Sequence, residues 1–287
     1  MVAPPTDLSG TVYIVTGANT GIGRVAAIEL AKRGAHVLLA CRSEEKTQPV
    51  IAEILKATPD AKVEHLPLDL ADLSSVRAAA QAFLGRDLPL HGLINNAGLA
   101  GQRGVTKDGF ELAFGTNHLG HFLFTNLLLD KLEESAPSRI VNVASEAHYR
   151  PTTIDWEAVR KPTTTVTGFD EYSVSKLANV LFTKELARRL VGTGVTTYAL
   201  HPGAVATDVW RRVPAVFRGI IKLFMKSIED GAKTTIYCAT DPSLASQTGR
   251  YYEDCKDRQP NPVAEDENLA AELWSRSESW TAGARPC

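Results

Sequence analysis

The run Thr11-Val12-Tyr13-Ile14-Val15-Thr16, followed at once by Gly17-Ala18-Asn19-Thr20-Gly21-Ile22-Gly23, constrains this chain more than any other feature. A short unbroken apolar run bounded by glycine reads as a strand buried on both faces. Helical spacing begins near Ile22, passes through Val25, Ala26, Leu30 and Ala31, and stops at Gly34. A strand, a glycine turn and a helix in that order bring the free N–H groups of a helix start to the strand's carboxyl end. Glycine allows the tight turn and a close approach, and the helix dipole favours an anion there. The motif therefore predicts a pyrophosphate site at Gly17, Asn19, Thr20, Gly21, Ile22 and Gly23. Its spacing is GxxxGxG rather than the GxGxxG of the usual dinucleotide fingerprint.

The same alternation continues along the chain. Strands are expected at 35–41, 62–66, 90–95, 139–144 and 195–200, with a shorter one at 249–252, and helices at 44–57, 73–84, 106–134, 170–191, 228–239 and 265–276. Pro49 is awkward in the second helix unless it kinks or ends the first turn. Strand and helix in alternation imply an α/β fold: a doubly wound, mostly parallel sheet of the Rossmann type, about seven strands, with helices on both faces. No linker rich in Pro, Gly or Ser divides the 287 residues and no internal repeat appears, so 1–287 is expected to form one domain with excursions at 146–170 and 203–227.

Charge and cysteine usage remove other classes. With 31 Lys+Arg against 33 Asp+Glu the chain lacks the basic surplus that nucleic-acid binders use to neutralise phosphates. Cys41, Cys238, Cys255 and Cys287 form no close pair, so neither a disulfide scaffold nor a zinc site is indicated and a reducing compartment fits. His118 and His121 lie three apart, but no carboxylate or cysteine completes a ligand set; they are expected to be core histidines, with no metal bound. Cys238 reads as core packing, whereas Cys255 is expected near the surface without a catalytic role. The start MVAPPTDLSG has no apolar run of membrane-spanning length. A cytoplasmic protein is expected, with membrane association only if an anchor precedes Met1 in the native chain.

The candidate chemistry gathers at strand ends. Strand two closes in Cys41-Arg42-Ser43, where an acid would bind the 2′-hydroxyl of NAD and a guanidinium accepts a 2′-phosphate. Arg42 thus predicts NADP(H), the competing reading being a solvated residue after a strand. Asp69 and Leu70 follow strand three, Asp69 as an acceptor for the adenine amino group, and Asn96, Ala97 and Gly98 follow strand four, where small residues let the chain pass a ribose. Tyr172 and Lys176, at i and i+4, share one helix face. An ammonium beside a phenol favours phenolate, and moving a tyrosine from about 10 to about 7 takes roughly 4 kcal/mol, a shift expected from the adjacent cation together with a positively charged nicotinamide. Tyr172 would then act as general acid in carbonyl reduction and base in the reverse. Ser145 ends strand five and can donate to a developing alkoxide.

TGxxxGIG at 16–23, NNAG at 95–98, Ser145, YxxxK at 172–176 and PG at 202–203 resemble a short-chain dehydrogenase/reductase over essentially the whole chain. The resemblance implies that Asn117 holds a proton-relaying water near Lys176, and that Lys176 also binds the nicotinamide ribose. It further implies that Pro202, Gly203, Val205 and Thr207 line the cofactor, Thr207 at the carboxamide or pyrophosphate. LACR at 39–42, TNHLGHFLFT at 116–125, SKLANVLF at 175–182 and YYEDC at 251–255 are similar to the retinol dehydrogenase-like branch. That branch implies an NADP(H)-preferring oxidoreductase interconverting a hydrophobic aldehyde or ketone and its alcohol, with retinal and retinol as one candidate pair. The competing class is an NADP(H)-binding sensor or interaction protein without turnover. The family resemblance also implies homodimers or homotetramers built on the helices at 106–134 and 170–191.

Two segments are assigned to the substrate side. The run 209–226, VWRRVPAVFRGIIKLFMK, joins large apolar residues to five basic ones and no acidic one. It is expected within a lid at 203–227 that closes an apolar pocket over a small hydrophobic carbonyl or alcohol, with peripheral membrane contact as the alternative. The segment 146–170, with His148, Tyr149 and Trp156, is either the opposite wall or a surface loop with a short helix around 154–159.

Overall fold

The account of the fold rests on a computed structural model and covers residues 7–203 and 226–282. One sheet carries β1 (Val12–Thr16), β2 (His36–Cys41), β3 (Val63–Pro67), β4 (Gly92–Asn95), β5 (Ser138–Val143), β6 (Val195–His201), β7 (Arg250–Glu253) and β8 (Lys256–Arg258). Their order is β3-β2-β1-β4-β5-β6-β7-β8, and every pairing is parallel except the last. The order reverses between β1 and β4, so a crevice opens beyond their carboxyl ends, where open α/β sheets take their ligands.

The apolar composition of β1 follows from its place in the middle of the sheet. Val12 and Ile14 enter the cluster that holds Val76 and Phe83 of α3 (Leu73–Leu84), Phe122 of α5 (Gly120–Leu127) and Phe182 of α7 (Phe169–Arg189). Tyr13 and Val15 enter the opposite cluster, with Ala27 and Leu30 of α1 (Gly21–Lys32), Val50 and Ile54 of α2 (Glu44–Ala57), and Cys238 and Ala239 of α8 (Ile228–Thr240). Side chains alternate across a strand, so a strand sandwiched between two helical layers must be apolar at every position. Pro49 stays inside α2, which continues through it.

Two expectations are refined. The sheet has an eighth strand: Lys256-Asp257-Arg258 is an exposed edge with no apolar residue to signal it. It turns back from β7 through Asp254 and Cys255 at φ 51° and 58°, the left-handed pair that a two-residue hairpin requires. The helix expected over 106–134 begins only with α4 (Leu112–Phe114), because Gly109 at φ 84° and a bridge between Val105 and Glu111 fold the preceding residues into a turn. A π turn (Gly115–Leu119) then leads into α5, and the chain bends at Leu128 before α6 (Leu129–Glu134).

The helices assigned to self-association also pack within the chain. The last helix, α9 (Glu267–Thr281), lies across α5 and α7. Trp274 packs with its ring centre 5.0 Å from Phe122 and 5.8 Å from Phe182, and Arg189 stacks 4.2 Å above it. Trp280 meets Phe110 at 5.6 Å and Trp156 at 6.2 Å. The apolar stripe that reads as an oligomer interface is, where α9 covers it, intrachain core.

Trp156 thereby gives part of the 146–170 segment a packing role. Its helical portions are 3-10 turns at Glu146–Tyr149 and Ala158–Arg160, and Glu111 accepts from Thr163.

Candidate active site

Two loops form the crevice between β1 and β4. Gly17 takes φ 66°, and a Cβ there would lie 2.9 Å from Ala97 Cα, so the first loop rests directly on the second. A Cβ on Gly23 would stand 2.6 Å from the Gly17 carbonyl oxygen and collide with the Asn96 amide. Gly23 therefore serves the packing of α1 against both loops. Helix α1 starts without a side-chain cap hydrogen bond and without an acidic residue in its first turn, which fits a pyrophosphate at its N–H groups. Beneath the turn Cys41 is buried, and burial pushes its thiol up.

Arg42 and Asp69 follow β2 and β3 at the carboxyl edge of the sheet. Arg42 is 76% exposed at the end of β2, with its guanidinium 3.7 Å from the Asp69 carboxylate. Asp69 is oriented by the Ala71 N–H, which donates to Oδ1 at 3.0 Å. The two residues assigned to different parts of one nucleotide are thus an exposed pair that a ligand can enter. The Leu70 side chain is buried in the cluster that holds Val76 and Phe122, and a Cβ on Gly120 would lie 2.9 Å from its Cβ.

The second loop hangs on a residue outside the predicted set. Thr16 Oγ1 accepts from the N–H groups of Asn96 and Ala97, both at 2.9 Å, and the Asn96 side chain donates to the Thr16 carbonyl at 2.8 Å. Thr16 stood in the motif as the last strand residue; nothing in its spacing announced this junction. Asn117, on the π turn, clamps the next part of the loop. Its Oδ1 accepts from Leu99 N–H at 2.9 Å, and its Nδ2 donates to Leu99 C=O at 3.0 Å and to Ser175 Oγ at 2.9 Å.

Four candidate catalytic residues meet at the end of β5. Lys176 is 3% exposed, and its Nζ donates to the Val143 carbonyl at 2.8 Å and lies 5.7 Å from the centre of the Tyr172 ring. A Cβ on Gly98 would lie 3.3 Å from Asn117 Oδ1 and 3.4 Å from Lys176 Nζ, which ties this group to the second loop. Burial pulls the Lys176 ammonium down to about 8. Tyr172 is half-buried against Phe169, 5.8 Å between ring centres. Burial pushes its phenol up, opposed by a hydrogen bond with Ser145.

Ser145 is fixed from behind by a residue the spacing did not single out. His148 Nδ1 donates to the Ser145 carbonyl at 2.7 Å, and its Nε2 accepts from Asn261 N–H at 3.1 Å. Burial pulls His148 down to about 4, which keeps it neutral and in this tautomer. Asn261 also donates to the carbonyls of His148 and Pro151, each at 2.9 Å. A contact spanning more than a hundred residues has no local signature.

The remaining assignments divide simply. Pro202 and Gly203 follow β6, Gly203 at φ 88°. Val205, Thr207 and most of the proposed lid, residues 204–225, lie outside the described residues. His118 and His121 are buried, and among the described residues no group of three His, Cys, Asp or Glu is placed to hold a metal. Cys238 is buried and Cys255 is half-buried. No helix among the described residues is long and apolar enough to cross a membrane.

Comparison with known proteins agrees with this geometry. A family model described as short chain dehydrogenase matches residues 11–156. Human retinol dehydrogenase 12 is 45% identical over 274 residues, covering 94% of this chain and 86% of that protein. Human retinol dehydrogenase 13 is 44% identical over 279 residues, covering 94% and 84%. A crystal structure of an uncharacterised protein from Mycobacterium paratuberculosis superposes with a TM-score of 0.78 at 34% identity, over 99% of this chain and 98% of that one. The glycine turn, the strand order and the residues gathered at the end of β5 have a common explanation: this chain belongs to the short-chain dehydrogenase family and is an NAD(P)-dependent oxidoreductase.

Proposed function

We propose that the chain is an NADP(H)-dependent oxidoreductase interconverting a hydrophobic aldehyde or ketone with its alcohol, with retinal and retinol among the candidate pairs. The observation that carries this reading is the meeting of Ser145, Tyr172 and Lys176 at the carboxyl end of β5, beside the loop that Asn117 clamps. Bound NADPH would supply hydride. Ser145 and Tyr172 donate hydrogen bonds to the substrate oxygen, and Tyr172 delivers the proton that converts the forming alkoxide to alcohol. Lys176 holds positive charge beside the phenol while Tyr172 gives that proton up. In the oxidation direction the same groups run in reverse. The naming of relatives as retinol dehydrogenases and the apolar run at 209–226 support a hydrophobic substrate.

The exposed guanidinium of Arg42 supports the preference for NADP(H) over NAD(H). Arg42→Asp is expected to weaken NADPH about 100-fold and NADH less than about threefold, because it removes a charge-assisted partner of the 2′-phosphate and adds repulsion. Fluorescence titration of both nucleotides checks it, and equal losses would remove Arg42 from that role.

Activity should also carry the mark of Lys176. Its ammonium, pulled down to about 8 by burial, loses its charge as pH rises, whereas Tyr172, pushed up, keeps its proton. For reduction, kcat/KM is therefore expected to hold below about pH 8 and fall above it, and a profile flat to pH 10 would contradict the assignment.

The direct test follows NADPH absorbance with all-trans-retinal, medium-chain and aromatic aldehydes, and steroid and quinone ketones. Saturable oxidation with one class is expected. Silence across the panel, with NADPH binding verified, would count against this substrate class.

A further inference from the structure

His121 makes two hydrogen bonds that the mechanism above does not use. The ring is 2% exposed, one turn beyond Asn117 at the start of α5. Its Nδ1 lies 3.0 Å from the Asn117 carbonyl oxygen, and its Nε2 lies 2.8 Å from Thr16 Oγ1. A carbonyl only accepts, so Nδ1 carries the hydrogen. Burial, then the nearby Lys176 ammonium, disfavour a second proton, although the bond to Asn117 favours it, and the balance lies near 4. The ring is therefore neutral, Nε2 is a lone-pair acceptor, and Thr16 must donate its hydroxyl hydrogen to it.

Every polar atom along this line is then committed. Asn96 and Ala97 donate to Thr16, Thr16 donates to His121, and His121 donates to the Asn117 carbonyl. Asn117 in turn holds both backbone groups of Leu99 and reaches Ser175, one residue before Lys176. π turns are uncommon and concentrate at functional positions. Here the π turn carries Asn117, whose carbonyl accepts from the side chain of His121.

We infer that His121 is a positioning residue that joins the cofactor-side loops at Thr16 and Asn96–Ala97 to the Asn117 carbonyl, so that nucleotide binding and the proton-transfer end of the site share one support. The inference rests on the reading of the site as a reductase centre. The two nitrogens of the ring serve separate ends, and amide side chains can replace them one at a time. Glutamine places its carbonyl near the Nε2 position and keeps the bond from Thr16, and asparagine places its amide near the Nδ1 position and keeps the bond to Asn117.

The experiment measures NADPH dissociation constants by fluorescence, kcat at saturating NADPH, and thermal midpoints for native protein, His121→Gln, His121→Asn and His121→Phe. With a buried hydrogen bond removed at one end, the expected effects are of order 10-fold. His121→Gln should keep NADPH affinity within about twofold and lose kcat about 10-fold. His121→Asn should weaken NADPH about 10-fold and keep kcat within about threefold, and His121→Phe should show both losses. If Gln and Asn weaken NADPH binding and lower kcat together, in step with their thermal midpoints, or change neither, the inference is overturned and His121 is a packing residue. Should His121→Phe fail to fold, the two amide variants decide alone. Should native protein turn over no substrate, the reductase reading fails separately, because the Gln and Asn dissociation constants still differ or agree without turnover.

Discussion

Tyr172→Phe is expected to lower kcat about 1,000-fold while NADPH affinity changes less than about threefold, the usual scale for removing a positioned general acid. The phenyl ring keeps the packing against Phe169, so the substitution removes one hydroxyl and little else. Ser145, whose Oγ still accepts from the Ala147 N–H at 3.2 Å, would remain as the single donor to the substrate oxygen. Stopped-flow measurement of hydride transfer, set beside a nucleotide titration, separates chemistry from binding. Turnover retained within 10-fold would take the proton-transfer role away from Tyr172. A parallel loss of NADPH affinity would instead assign the tyrosine to the nucleotide.

Trp274→Ala is expected to cost about 3–5 kcal/mol of stability, the range for truncating a large buried aromatic, and to lower the thermal midpoint by about 10 °C. Trp274 is 4% exposed and fills the space between Phe122 and Phe182, under the stacked guanidinium of Arg189. Its indole nitrogen has no hydrogen-bond partner among the described residues, so the loss is of packing and of the contact with Arg189. Trp274→Phe should therefore recover more than half of the loss. Urea denaturation of both variants checks this, and a cost below 1 kcal/mol for alanine would mean that α9 contributes little to the core.

Much of this protein is legible in short stretches of its sequence. The apolar run at 11–16, the glycines at 17, 21 and 23, and the alternation that follows lead to a parallel sheet with a crevice at β1 and β4, because a strand buried on both faces and a tight turn into a helix each impose a local composition. Tyr172 and Lys176 come together for the same reason, being one helical turn apart. Other features carry no local signal. Leu70 lies in the core because Phe122 and Gly120 come to meet it. Helices at 112–134 and 169–189 are apolar where α9 covers them, and the same residues would serve a subunit interface. Lys256–Arg258 has no apolar pattern because an edge strand needs none. The hydrogen-bond line from Thr16 through His121 to Asn117 spans 105 residues in its first link and four in its second. Local spacing determined the strands, the turn and the paired side chains; only tertiary packing decided which polar groups finish each other's hydrogen bonds, since a buried donor is satisfied by whatever acceptor the fold brings to it.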